Sequence, residues 1–170
     1  MPRIHVCSLP LLAETVQRTR ASHVITLIKN IAIAPTPAGI DPANHLRLDF
    51  SDITEPREGE MPPMPGHVEA ILAFIGGWDR TSPLVIHCFA GISRSTAGAF
   101  ITACALMPHR DEADIARHIR DSSETATPNS LLVGFADDIL HRQGRMISAI
   151  EDIGSGIVST EGVPFHIDIT

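Results

Sequence analysis

The segment that most restricts this chain runs Leu84-Val85-Ile86-His87-Cys88-Phe89-Ala90-Gly91-Ile92-Ser93-Arg94-Ser95, followed by Thr96-Ala97-Gly98-Ala99. The apolar run reads as a short buried strand, and the small residues after Arg94 read as a helix. A cysteine is therefore delivered at the end of a strand, five residues separate it from an arginine, and a helix begins in between. The amides of Phe89, Ala90, Gly91, Ile92, Ser93 and Arg94 can turn inward in such a loop. The helix N-terminus adds positive potential, and a guanidinium can grip two oxygens at once. Gly91 permits an amide-inward backbone that a Cβ would hinder. The pocket suits a tetrahedral oxyanion such as phosphate, and its field favours a thiolate at its base.

Composition narrows the classes around that loop. At 170 residues the chain is long enough for one domain with a substantial core, and 44% hydrophobic residues is ordinary for a soluble globular protein. A formal charge of −7 argues against a nucleic-acid binder or an anionic-membrane binder, both of which need a basic face. It leaves a phosphate pocket open, because local amides and Arg94 outweigh distant carboxylates. Cys7, Cys88 and Cys104 are too widely spaced for a disulfide framework or a metal-ligand pattern. A working thiol needs a reducing compartment, so the expected location is the cytoplasm. The start of the chain lacks a signal-peptide pattern, and the apolar stretch from Ala97 to Met107 is far short of a membrane span.

The string His87-Cys88, five residues, Arg94, Ser95 resembles the active-site loop of the cysteine-based protein tyrosine phosphatase superfamily. The portion Gly91-Ile92-Ser93-Arg94-Ser95 is more similar to the compact dual-specificity branch, and the chain looks like a bacterial tyrosine phosphatase of that kind. The resemblance implies Cys88 as nucleophile, Arg94 as oxyanion ligand, and Ser95 as the hydroxyl that eases thiolate departure. It also implies a metal-independent reaction with no cofactor. His87 would hold the loop backbone and tune the thiolate, or simply serve as a buried structural histidine. Ser95 has an equally plain reading as a cap of the first helical turn.

Strand and helix patterns alternate before the loop. Ile4–Cys7, Val24–Leu27, His45–Phe50 and Pro83–His87 read as strands, and Leu9–Arg20 and His67–Trp78 as helices. Ser93–Met107, Asp111–Asp121 and Ser130–Arg142 read as helices that follow the loop, leaving the nucleophile strand last. The expected fold class is α/β, a central mostly parallel sheet flanked by helices, with the site at the C-terminal strand ends. Residues 1–145 are expected to form the catalytic domain, and 146–170 an extension docked on it through Val163–Ile169.

Cleavage of a phosphate monoester needs a proton for the departing oxygen, and the family uses an aspartate on a mobile upstream loop. Asp52, just past the third strand, is the first candidate; Asp49 is the second, and Glu55 and Glu58 are weaker. Both aspartates also read as ordinary capping or solvated groups. Thr127-Pro128-Asn129 is the second point of resemblance: an asparagine about forty residues after the cysteine braces the phosphate loop in compact members, although Asn129 equally reads as a helix cap. Arg117 and Arg120 could meet a substrate but read better as a solvated helical face. No tyrosine-bearing recognition segment precedes the loop, so phosphotyrosine, phosphoserine or phosphothreonine, and small phosphorylated molecules all stay open as partners. The remaining histidines show no metal spacing, and nothing in the sequence fixes an oligomeric state.

The expected function is phosphate monoester hydrolysis through a phosphocysteine, acting on phosphotyrosine proteins with room for dual specificity. The alternative is a phosphate-recognising binding protein of the same fold. Sulfur transfer through a persulfide fits less well, since that chemistry typically uses a shorter loop.

Overall fold

The computed structural model describes residues 2–170. Five strands, β1 (Arg3–Cys7), β2 (His23–Leu27), β3 (His45–Leu48), β4 (Leu84–His87) and β5 (Phe165–Asp168), form one sheet in the order β3-β2-β4-β1-β5. Pairings among the first four strands are parallel, and β5 adds to the β1 edge antiparallel, with Ile4 opposite Ile167. The fold is α/β with a mostly parallel mixed sheet and six helices.

Strands β2 and β4 are rich in apolar and β-branched residues because both of their faces are covered. On one face α1 (Leu12–Thr19) packs Leu12 and Val16 against Cys7, Val24 and Val85. The other face carries the larger core. There α2 (Pro65–Gly76), α3 (Arg94–Leu106), α4 (Glu112–Ser122), α5 (Ser130–Ile139) and α6 (Arg145–Ile153) enclose Ile4, Ile25, Leu27, Ile86, Phe100 and Ile101. Helix α3 is buried from Arg94 to Cys104. Its small residues allow this: a Cβ at Gly98 would lie 2.9 Å from Leu27 Cδ1, so α3 approaches the sheet closer than a larger residue permits.

Several boundaries differ from the sequence expectation for local reasons. Strand β3 ends at Leu48 rather than Phe50, because the Asp49 carboxylate turns back to accept from the amides of Asn30 and Ile31 at 3.1 and 3.2 Å. Helix α5 stops at Ile139, and the chain reverses through His141, Gln143 and Gly144, all at positive φ. The nucleophile strand is not the last strand. β5 follows it, and α6 precedes β5 where no helix was expected. The helical spacing of Met146, Ala149, Ile150 and Ile153 carries that signal, masked by the glycines on either side. Asp137 caps α6 by accepting from the amides of Gly144, Met146 and Ile147. A buried ion pair, Arg142 Nη1 to Glu112 Oε1 at 2.8 Å, ties the α5–α6 turn to α4. No helix among the described residues is long and apolar enough to cross a membrane.

Candidate active site

The loop from Cys88 to Ser93 joins β4 to α3 at the C-terminal edge of the sheet, where parallel α/β folds place ligands. Its carbonyls are held from outside. Cys88 O accepts from His87 Nδ1 at 3.0 Å, Phe89 O from the Leu9 amide at 3.0 Å, and Ala90 O from the Gly162 amide at 2.8 Å. Ile92 O accepts from the Thr127 amide at 2.9 Å and Ser93 O from the Asn129 amide at 3.2 Å. With those carbonyls tied outward by His87 and by three separate chain segments, the loop curls around Cys88. Gly91 makes this possible twice over. Its φ is +74°, and a Cβ there would lie 2.8 Å from Cys7 C and Ser8 N at the end of β1.

At the base of the loop Cys88 is buried. Its Sγ accepts from the Gly91 amide at 3.2 Å and lies 3.1 Å from Ser95 Oγ in the first turn of α3. Burial pushes the Cys7 thiol up to about 11 and the Cys104 thiol up to about 12, so both are neutral in the physiological range.

Arg94 opens α3 and is only 8% exposed. Its Nη1 donates to Phe50 O at 2.8 Å, which fixes the plane of the guanidinium, while its Nε is buried with no protein acceptor. A buried N–H without an acceptor is costly unless an anion completes it. Phe50 itself is clamped by stacking on His67, with ring centroids 4.4 Å apart.

The segment from Asp49 to Met64 crosses beside the loop without regular structure, anchored by buried Phe50, Ser51 and Ile53. Asp52 is exposed, and its Oδ1 accepts from Ser93 Oγ at 2.7 Å and from Asn129 Nδ2 at 2.9 Å. Asn129 also accepts the Leu132 amide as the cap of α5. Its side-chain amide also donates to Ile53 O at 3.2 Å, and only its backbone N–H reaches the Cys88 loop, at Ser93 O. Asp49 faces the Asn30–Ile31 turn, and Glu55 and Glu58 are exposed. Arg120 is not a solvated residue on a helical face: it donates to the carbonyls of Ala126, Ile153 and Gly154. Arg117 pairs with Asp114 at the surface.

A cavity of about 260 Å³ opens beside the loop between Thr54, Ser93, Asn129 and Ser155. A larger concavity, about 560 Å³ on α1, is lined by Ala13, Val16, Arg20 and Gly39 and holds no cysteine, carboxylate or histidine. The described residues form no group of three or more His, Cys, Asp or Glu arranged to hold a metal ion.

Two residues at this site had no local sequence signal. Phe50 acts through its carbonyl, which any residue could supply. Gly162 reaches the loop only because β5 returns the tail across the sheet edge; a Cβ on it would meet Gly91 O at 2.3 Å.

The chain superposes on a crystal structure of DUSP15 with a TM-score of 0.62 at 18% identity, covering 88% of this chain and 90% of that one. This is the fold of the cysteine-based tyrosine phosphatases. A structure of PTPMT1 in complex with PI(5)P gives a TM-score of 0.59 at 16% identity, over 82% of this chain and 94% of that one. The human tyrosine phosphatase-like serine/threonine/tyrosine-interacting protein gives 0.62 at 18%, over 82% and 92%. No protein-family model matches the sequence, and no curated protein sequence does. Within the tyrosine phosphatase fold, the Cys88 loop occupies the end of β4 and leads directly into α3.

Proposed function

We propose that this chain hydrolyses phosphate monoesters through a phosphocysteine on Cys88, with phosphotyrosine on proteins as its principal substrate class and dual specificity within reach. The observation that carries the reading is the pairing of Cys88 Sγ, held between the Gly91 amide and Ser95 Oγ, with the buried, unpartnered Nε of Arg94. A phosphoryl group seated in the loop would place three equatorial oxygens against the loop amides and the guanidinium. The charge of the transition state is stabilised there by groups already in position.

Cys88 Sγ attacks phosphorus in line, forming the S–P bond as the ester P–O bond breaks. Asp52 gives its proton to the departing oxygen, and the alcohol or phenol leaves. In the second step a water oxygen attacks phosphorus, and its proton returns to the Asp52 carboxylate. The S–P bond breaks, inorganic phosphate departs, and the thiolate is restored with Ser95 Oγ hydrogen-bonded to it. Asp52 Oδ1 is engaged by Ser93 and Asn129, so Oδ2 is the oxygen that carries the proton. Asp49 suits that role less, since both of its oxygens hold backbone amides. The positive charge this scheme needs comes from amides and Arg94, and no metal ion or cofactor enters it.

The PTPMT1 structure holds PI(5)P, so phosphorylated lipid head groups join phosphoproteins and small phosphorylated molecules in the substrate range to be tested. All three cysteines are free thiols, which fits a reducing compartment such as the cytoplasm. A second reading, a phosphate-recognising binding protein, draws on the neighbour described as a phosphatase-like interacting protein and on the double hydrogen bonding of Asp52. Turnover of a chromogenic aryl phosphate with chelator and reductant present separates the two. Turnover that disappears in Cys88→Ser supports the hydrolase; binding of phosphate or vanadate without turnover supports the binding protein.

A further inference from the structure

Behind the Cys88 loop lies a file of polar side chains that the reaction scheme does not use. His87 stands between the loop and the sheet. Its Nδ1 is 3.0 Å from Cys88 O, and its Nε2 is 2.7 Å from Thr26 Oγ1. The same Thr26 hydroxyl lies 2.7 Å from His45 Nε2, and His45 Nδ1 lies 2.8 Å from Thr36 Oγ1. Thr26 and His87 are neighbours across the β2–β4 pairing and are fully buried; His45 begins β3 and is 9% exposed.

The direction of every bond in this file is determined. A carbonyl oxygen only accepts, so His87 Nδ1 carries a proton. Burial holds His87 and His45 down to about 4, with Arg94 pressing the first the same way and Arg47 the second. Both rings are therefore neutral at pH 7, with one proton each. His87 Nε2 is then bare and accepts, so Thr26 donates to it. The Thr26 hydroxyl has a single hydrogen, so toward His45 it can only accept. That puts the His45 proton on Nε2 and leaves His45 Nδ1 to accept from Thr36. The chain of donation runs Thr36 to His45 to Thr26 to His87 to the Cys88 carbonyl.

We propose that Thr26 and His45 are positioning residues for the nucleophile loop, acting through the tautomer of His87. With its proton fixed on Nδ1, His87 keeps the Cys88 carbonyl turned back toward the sheet, so that Sγ faces Gly91 N and Ser95 Oγ. A His87 with its proton on Nε2 would release that carbonyl and place two lone pairs against each other at 3.0 Å. The charged and titratable groups facing the file are Arg94 and Cys88 at the His87 end and Arg47 at the His45 end. The consequence for rate rests on the phosphatase reading; the tautomers do not.

The test compares the wild type with Thr26→Val, Thr26→Ser, His45→Leu and His45→Gln. Valine matches threonine in shape without the hydroxyl, and glutamine supplies an N–H near the position of His45 Nε2. Histidine ¹⁵N NMR at pH 7 reads the tautomers, and kcat/KM on an aryl phosphate from pH 5 to 8 reads the outcome. The wild type should show His87 protonated on Nδ1 and His45 on Nε2. Thr26→Val and His45→Leu should lose the single His87 tautomer and about tenfold or more in kcat/KM, the range for removing a group that orients an active-site ligand. Thr26→Ser and His45→Gln should recover most of both. A wild-type His87 protonated on Nε2, or charged at pH 7, overturns the proposal, as does an unchanged tautomer and pH profile in Thr26→Val. Should Thr26→Val fail to fold, the wild-type spectrum and the His45→Gln against His45→Leu contrast still decide it. Absence of phosphatase turnover in the wild type would remove the phosphatase reading, while the NMR spectra would still decide the tautomers.

Discussion

Asn129 donates its side-chain amide to Oδ1 of Asp52 at 2.9 Å, joining the start of α5 to a loop 77 residues earlier in the chain. Ser93 Oγ reaches the same oxygen from within the phosphate loop. The candidate acid is thus tied both to the Cys88 loop and to the start of α5.

Asp52→Ala should lower kcat about 10²–10⁴-fold on substrates with poor leaving groups and much less on activated aryl phosphates, the signature of lost proton donation. Asn129→Ala should cost about tenfold, since it removes one bond to a carboxylate while keeping the acid. A series of aryl phosphates of graded leaving-group acidity checks both. A leaving-group effect confined to Asp49→Ala would move the acid role to Asp49.

Ser95→Ala removes the hydroxyl 3.1 Å from Cys88 Sγ. The attacking step should be little affected and the second step slowed, so rapid-mixing traces should show a product burst followed by a steady rate roughly ten- to a hundredfold below wild type. Uniformly slow traces without a burst would take Ser95 out of the second step.

Gly91→Ala combines two costs: a side chain at φ +74° and a Cβ 2.8 Å from the Cys7–Ser8 peptide. The loop should open rather than the sheet, because β1 is paired on both edges. Phosphate affinity, measured by calorimetry, should fall at least tenfold, together with a destabilisation on the order of 1–3 kcal/mol. Unchanged affinity would mean that the loop tolerates the side chain.

His87 and His45 are each held near pKa 4, against 6.5 for a free histidine, by burial. The unfolded chain takes up their protons first as the pH falls, so between about 6.5 and 4 it binds more protons than the folded chain. Stability is therefore full above 6.5 and declines as the pH drops toward 4. Denaturant unfolding at pH 7, 5.5 and 4.5 should show a falling midpoint. Replacing His45 by glutamine should flatten that fall.

The loop and its flanking elements were legible because they are local. An apolar run, a cysteine, a small-residue helix and an arginine at fixed spacing all lie within twenty residues. The parallel sheet followed from alternation of strand and helix patterns. What was not legible is contributed by distant segments. β5 is a short run in a glycine- and serine-bearing tail, and only its pairing with β1 makes it a strand. The Gly162 contact to Ala90 depends on that pairing. Position past the strand put Asp52 ahead of Asp49 in the sequence, but what each one contacts was not legible there: Asp49 holds a backbone turn, and Asp52 meets Ser93 and Asn129. The partner of His87 on β2, Thr26, lies 61 residues away, His45 on β3 reaches it only through Thr26, and no spacing rule connects the three.

The most direct measurement is rapid acid quench of the 170-residue protein during turnover of a labelled aryl phosphate, followed by peptide mapping. The account predicts phosphate on the peptide containing Cys88, more of it in Ser95→Ala, and none in Cys88→Ser. Turnover with no label on Cys88, or with label on another residue, would contradict it.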